Sequence, residues 1–238
     1  MNINEYQNYH ETKAHTSAEF PYNTYLCSIP LDFPGVPLHW HDELELVVIK
    51  RGQGFVSVDF DKRLVHSGDI IIIPPGCLHA IEQDDTFKME YENIIFKPDL
   101  LSSGANDLCM IQYIVPLLDG SLPIEYFLTP ALGSFEALSN CIRQIDLVCA
   151  DQTPGWQLAV KSSLFNFFFL LISESQKKTV STYSNSKSLE KMKTVLKYVE
   201  NHYTEKLTID DMAELTYYSK SHFMKFFKAT WESDSLNT

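Results

Sequence analysis

The sequence predicts an α+β protein: a β-rich N-terminal domain closed as a sandwich or barrel, followed by helices. Three observations predict it. Between Tyr22 and Phe96, short apolar runs recur at close intervals, separated by Gly and Pro. From about Asp99 the apolar spacing changes from two to the helical period. Within the β-rich part, His39, His41, Glu45 and His79 are side chains of the kind that ligate metals.

Residues 1–20 are polar and aromatic, include His10 and His15, and read as an arm. Tyr22 to Ile29 is a first strand, and Pro30, Pro34, Gly35 and Pro37 break regular structure after it. Leu44 to Ile49 is the next strand. Gly52, Gln53 and Gly54 are expected to turn the chain into another strand carrying Phe55, Val56 and Val58. Ile70 to Ile73 is a continuous apolar run bounded by Gly68-Asp69 and Pro74-Pro75. Phe87, Met89 and Tyr91 alternate with Lys88, Glu90 and Glu92, as in a strand with one face on the core. The β-domain is expected to end near Phe96. A weakly patterned stretch through Tyr113, Pro116, Gly120 and Pro123 then leads to two helices, about Ala131 to Cys149 and Trp156 to Ser173. The second is apolar on more than one face. This pair is either in part an oligomer interface, which would make the protein a homodimer, or intramolecular core alone.

The stretch 174–187, rich in Ser, Thr, Lys and Gln, reads as a linker. Beyond it, Leu189, Met192, Val195, Leu196 and Val199 mark an amphipathic helix. Thr208 and Asp211 make a capping box for a second helix with Ile209, Met212, Ala213 and Leu215. Ser219 begins a third, with Phe223, Phe226 and Phe227 inward.

Composition sets limits. A chain of 238 residues that is 45% hydrophobic buries a full core, in one large or two modest domains. The longest apolar run considered, Leu164 to Ile172, is short for a bilayer and contains Asn166, so a cytoplasmic protein without membrane contact is expected. Five cysteines without a CxxC pair suggest a reducing compartment and buried structural thiols. The net charge is −12, yet from Lys187 onward eight Lys balance eight acidic residues. An acidic body is no footprint for nucleic acid, so any DNA contact belongs to the last fifty or so residues.

The candidate site follows from strand parity. Alternate residues of a strand share a face, so His39 and His41 project to one side and Trp40 to the other. Glu45 has the same parity. His79 is distant in sequence and joins only if a sheet closes on itself. Three imidazoles and one carboxylate suit Zn, Fe, Mn, Ni or Cu, and spacing does not choose among these. Without a metal, the same groups would hydrogen-bond a polar effector.

These residues also carry a family resemblance. Gly35, His39, His41, Glu45 and Gly52 resemble the first cupin motif. Gly68, Pro74, Gly76 and His79 resemble the second, with Gln83 where that motif has Asn. The resemblance implies a double-stranded β-helix barrel with three His and one Glu inside it, commonly around a divalent metal. The run Leu207 to Leu215, then Ser219, Phe223, Phe227 and Lys228, resembles the first helix-turn-helix of AraC/XylS-family transcription regulators.

That family's order of segments matches: a cupin sensing barrel with its arm at 1–98, a helical dimerisation region at 99–173, a linker at 174–187 and the first helix-turn-helix at 188–238. It implies a small effector, a sugar being the reasonable expectation, and DNA contacts from Ser221, His222 and Lys225. Two positions depart from the family: Tyr217 stands at the turn Gly, and Trp231 where Gly precedes a second helix-turn-helix. The expectation is therefore a DNA-binding domain truncated at its C-terminus. A non-enzymatic, ligand-responsive regulator explains the whole order of segments. A cupin metalloenzyme, oxygenase or isomerase, explains the ligands alone. A truncated protein that senses or dimerises without specific DNA binding explains the ending.

Overall fold

A computed structural model of the chain describes residues 9–59, 61–104, 107–118, 120, 122, 124–177, 194, 195, 197–199, 202, 203, 207–216, 223 and 224. These divide between two compact units, one spanning His10–Thr179 and the other including Val180–Thr238.

The larger unit is a β-barrel-like sandwich with helices on one sheet. Its strands are β1 (Tyr22–Ile29), β2 (Gly35–His39), β3 (Leu44–Val58), β4 (Asp61–His66), β5 (Ile70–Ile73), β6 (His79–Gln83), β7 (Met89–Phe96) and β8 (Phe127–Leu128). One sheet runs in the order β1-β7-β3-β5-β8; the other is built from β2, β6, β3 and β4. Every pairing between these eight strands is antiparallel. Strand β3 belongs to both sheets: Leu44 to Gly52 pairs with β7, and Gln53 to Val58 with β4.

The crossing of β3 between sheets corrects the expected turn at Gly52 to Gly54. The chain stays in one strand and bends there, with a register shift between Ile49 and Arg51. Gly52 has φ of +79°, and a Cβ on it would lie 1.8 Å from the Lys88 carbonyl oxygen. Only glycine permits both that backbone angle and that approach.

Period-2 alternation on β3 divides the interior in two. Leu44, Leu46 and Val48 face a core shared with the helices, together with Ile70, Ile72, Ile94 and Phe96. Val47 and Ile49 face the space between the sheets, with Val56, Val58, Ile71, Ile73, Ile81 and Tyr91. The continuous apolar run Ile70 to Ile73 is explained by this arrangement, since β5 is buried on both faces.

After Phe96 come a 3-10 turn (Pro98–Leu101), a π-helical turn (Met110–Ile114) and α1 (Val115–Leu118), and then the chain returns to the sheet as β8 against β5. The β-domain therefore does not end at Phe96, as two strand residues at Phe127 and Leu128 are too few to show a period. Helix α2 spans Phe135–Asp151 and α3 spans Trp156–Lys177. The start of α2 is later than expected because Leu132 and Phe135 donate to the Thr129 and Leu132 carbonyls in successive turns. Gln152, at φ of 46°, ends it by donating its N–H to Val148, and Pro154 follows. Helix α3 continues four residues past Ser173.

Val160, Leu164, Phe167, Phe168, Leu171 and Ile172 of α3 bury against α2 and the outer face of the β1-β7-β3-β5 sheet. Burial of each large side chain contributes about 1.5–3 kcal/mol. The opposite side of α3 leaves Leu158 74% and Phe169 65% exposed. By length and composition the stretch Trp156–Ser175 is apolar enough to cross a bilayer, which corrects the expectation that no run is. The cysteines also differ from the expectation of buried thiols: Cys77 and Cys141 are buried, Cys27 and Cys149 partly so, and Cys109 is exposed; all five are free.

In the smaller unit, α4 (Ile209–Leu215) carries the predicted capping box. The Thr208 N–H and hydroxyl donate to Asp211 Oδ2 at 2.8 and 2.7 Å, and the Asp211 N–H donates back to Thr208 Oγ1 at 3.3 Å. Val195, Met212, Ala213 and Phe223 form its buried cluster.

Candidate functional site

The site lies where β2, β3 and β6 meet. His39 ends β2 and pairs across the strands with His79, the first residue of β6. His41 follows in the bend toward β3, and Glu45 has the strand parity of Val47 and Ile49, which face between the sheets. The structure thus brings together all four residues proposed from the sequence. His79 joins because β6 pairs with both β2 and β3, the closure that sequence spacing alone could not supply.

Each ring is oriented by a backbone carbonyl. His39 Nδ1 lies 2.9 Å from the Pro37 oxygen, His41 Nδ1 3.2 Å from that of Glu43, and His79 Nδ1 2.9 Å from that of Cys77. A carbonyl only accepts, so each Nδ1 carries the hydrogen. In a neutral ring the Nε2 lone pair is then free to bind a cation. The ring centroids of His39 and His79 are 4.1 Å apart, and those of His41 and His79 4.9 Å.

Glu45 is the charged centre of the cluster. Its Oε2 lies 3.0 Å from His41 Nε2 and 3.3 Å from His79 Nε2, and all three side chains are buried. Although burial works against it, the hydrogen bond to His41 and the close approach and charge of His79 hold the Glu45 carboxyl far below the ordinary carboxylate range. Burial likewise pulls His41 down, but the Glu45 hydrogen bond and the nearby carboxylates outweigh it and hold the imidazole above its usual value. His39 goes the other way: burial, then the charge of His79, pull it down to about 4. Neighbouring imidazoles in one cluster are thus driven apart in basicity: burial and the charge of His79 prevail at His39, the Glu45 hydrogen bond and the carboxylate charges at His41.

The donor set fits a divalent transition metal. A ligating atom from each of His39, His41 and His79 lies within 4.8 Å of the others. His79 Nε2 is buried without a hydrogen-bond partner, since its approach to Glu45 is close but not aligned. Two ligands on opposite sides of an ion at ~2.1 Å stand about 4.2 Å apart, so only a slight closing of the rings is needed. A buried imidazole nitrogen aimed at two others is costly unless something shares it.

Sequence reasoning missed three neighbours. Glu43 places its carboxylate 3.7 Å from His41 Nδ1. Glu11 Oε2 lies 3.3 Å from His39 Nε2 and 3.2 Å from His15 Nε2. The Glu11 to His15 spacing of four residues was a signal, but nothing in sequence tied it to the barrel. Ser221, His222 and Lys225, expected at DNA, lie outside the described residues.

Known proteins resemble this chain as follows. The HTH-type transcriptional regulator YdeC of Bacillus subtilis is 25% identical over 223 residues, covering 93% of this chain and 75% of its own length. The HTH-type transcriptional activator RhaR of Mannheimia succiniciproducens is 23% identical over 166 residues, covering 68% of this chain and 55% of its own. The chain therefore spans between about half and three quarters of these relatives. Among solved structures, a cupin protein from Bacteroides fragilis is 24% identical, over 37% of this chain and 80% of that one, with a TM-score of 0.32. The family described as the AraC-like ligand-binding domain matches residues 29–168, more than half of the sequence, and the chain belongs to that family.

Proposed function

We propose that this protein is a ligand-responsive transcription regulator. Residues 1–98 bind a small polar effector, such as a sugar, beside His39, His41, Glu45 and His79. Residues 99–173 carry the dimer surface, the stretch from the end of α3 to residue 187 links, and 188–238 bind DNA, with Ser221, His222 and Lys225 at the groove. The relatives being transcriptional regulators supports a role other than catalysis, at low identity.

The observation that carries the reading is the division of β3. Glu45 is bonded into the histidine cluster, while Leu44 and Leu46 on either side of it pack into the core shared with α2 and α3. A group that repositions Glu45 therefore moves the floor on which both helices rest. Lys50, farther along β3, ties the same strand to α2 through Asp146 at 2.9 Å and to β7 through Glu92 at 2.5 Å. Coupling of this kind needs two arrangements that the effector binds unequally. A divalent metal held by the three imidazoles and Glu45 would supply a Lewis acid that orients oxygen atoms of the effector. His41 and Glu45 would supply a hydrogen-bond donor and an acceptor for the same purpose.

The test is selection of bound fragments from random double-stranded DNA, with and without sugars and other small polar compounds that raise the melting temperature. The reading expects at least one compound to change DNA affinity tenfold or more, and to lose that effect in Glu45→Gln. If no DNA is enriched under any condition, the regulator reading fails. The donor set by itself also suits a metalloenzyme, and turnover of oxygen or an isomerisable substrate by the metal-loaded protein would favour that second reading.

A further inference from the structure

The histidine cluster has a neighbour that does not come from the barrel strands. His10 forms a parallel bridge with Trp40 and stacks its ring on the indole at 4.1 Å. The Glu11 N–H donates to the Trp40 carbonyl at 3.0 Å. Four residues on, the His15 carbonyl accepts from Asn23 Nδ2 at 2.9 Å and from the Tyr25 hydroxyl at 3.3 Å. Both ends of the segment are therefore bonded to the β-domain, and its Glu11 and His15 side chains reach the cluster.

Glu11 Oε2 sits between two imidazoles, 3.3 Å from His39 Nε2 and 3.2 Å from His15 Nε2. His15 is 8% exposed, and neither of its ring nitrogens has a hydrogen-bond partner. Its ring centroid is 5.8 Å from that of His41. Because His39 Nδ1 donates to the Pro37 carbonyl, a neutral His39 faces Glu11 lone pair to lone pair. Two acceptors at that distance repel unless a cation lies beside both.

We propose that Glu11 is a further carboxylate ligand to a divalent transition metal held by His39, His41 and His79, so that metal binding pins residues 10–15 to the barrel. This rests on the three imidazoles being a metal site. It adds a ligand from a segment outside the two motifs that carry Glu45 and the histidines. It also converts metal occupancy into a change in the arm, because the span from Glu11 to His15 contains the exposed Lys13.

The experiment uses the whole chain and Co2+ alone as the probe. Three readouts are taken: affinity by titration, the visible absorption of the bound ion, and the rate of trypsin cleavage after Lys13. The wild type is expected to bind Co2+ and to be cleaved after Lys13 at least fivefold more slowly with it. Glu11→Gln is expected to bind Co2+ tenfold or more weakly, with a changed absorption band and cleavage indifferent to the ion. His79→Ala, as the reference, should lose the ion altogether. Melting curves in chelator establish that both variants are folded. If Glu11→Gln keeps wild-type affinity, absorption and protection while His79→Ala loses binding, the proposal is overturned and the three-imidazole site stands. If the wild type binds no Co2+, both are overturned.

Discussion

The two faces of β3 solve opposite problems. Toward α2 and α3, Leu44, Leu46 and Val48 share an apolar core with Ile70, Ile72, Phe96, Leu164 and Phe168. Toward the space between the sheets, the same strand carries Glu45, bonded to His41 and beside His79, ahead of Val47 and Ile49. Apolar burial is favourable in proportion to area, whereas a buried ion pair repays its desolvation only when its geometry is good. The first face therefore stabilises the unit, and the second keeps a costly polar cluster that stability alone does not require. Breaking each face separately tests that contrast.

The largest effect is expected on the helix side. Phe168 is fully buried, with Phe167 and Phe96 edge-on to its ring at 5.7 and 6.3 Å. Phe168→Ala should cost about 3–5 kcal/mol, read as a lower urea midpoint. A loss under ~1 kcal/mol would mean that α3 is only loosely docked.

On the cluster side, Glu45→Gln keeps the shape and removes the charge. In chelator it should cost on the order of 1–3 kcal/mol, since His41 loses its ionic partner. The same change should weaken metal binding tenfold or more. A variant more stable than wild type that also binds metal normally would show that Glu45 is an ordinary buried carboxylate.

A pH series in chelator sharpens the contrast further. His39 is pulled down to about 4, so between its ordinary value near 6.5 and 4 the unfolded chain takes up a proton that the folded protein refuses. Stability from this group therefore falls on acidification across that window, by up to ~3 kcal/mol. His41 is held above its ordinary value, so its contribution is complete below about pH 6.5 and disappears as pH rises through the folded value. Glu45, held far down, contributes above its ordinary range, and its part is lost only in strong acid. The melting temperature should accordingly peak near neutrality. His39→Gln should flatten the acid limb and His41→Gln the alkaline one; unchanged limbs in both would contradict these shifts.

Much of this was legible in the sequence because strand parity is local. The run Ile70 to Ile73 between Gly68-Asp69 and Pro74-Pro75 marked a strand, and His39, Trp40 and His41 implied which side chains converge. The capping box at Thr208 and Asp211 was likewise readable from a spacing of three. What was not legible depended on contacts distant in sequence. The bend at Gly52 looked like a turn because its cause, the Lys88 carbonyl, is thirty-six residues away. Glu11 and His15 looked like part of an unpatterned arm, since their partners are His39, Asn23 and Tyr25. Phe127 and Leu128 were too short a strand to signal themselves.

The smallest effect on folding is expected from the outer side of α3, where it bears most directly on function. Leu158 and Phe169 are apolar yet face away from the core that holds Phe168. A helix interior buried on one side explains half of the composition of α3. The exposed half has no counterpart in the energetics of the single unit. Replacing both residues, Leu158→Ser with Phe169→Ser, should change the urea midpoint of the isolated chain by the equivalent of ~0.5 kcal/mol or less. If α3 is a dimer surface, the same pair should shift the sedimentation profile from dimer to monomer. A dimer unaffected by the double change would put the subunit contact elsewhere, and the apolar excess of α3 would then need another occupant.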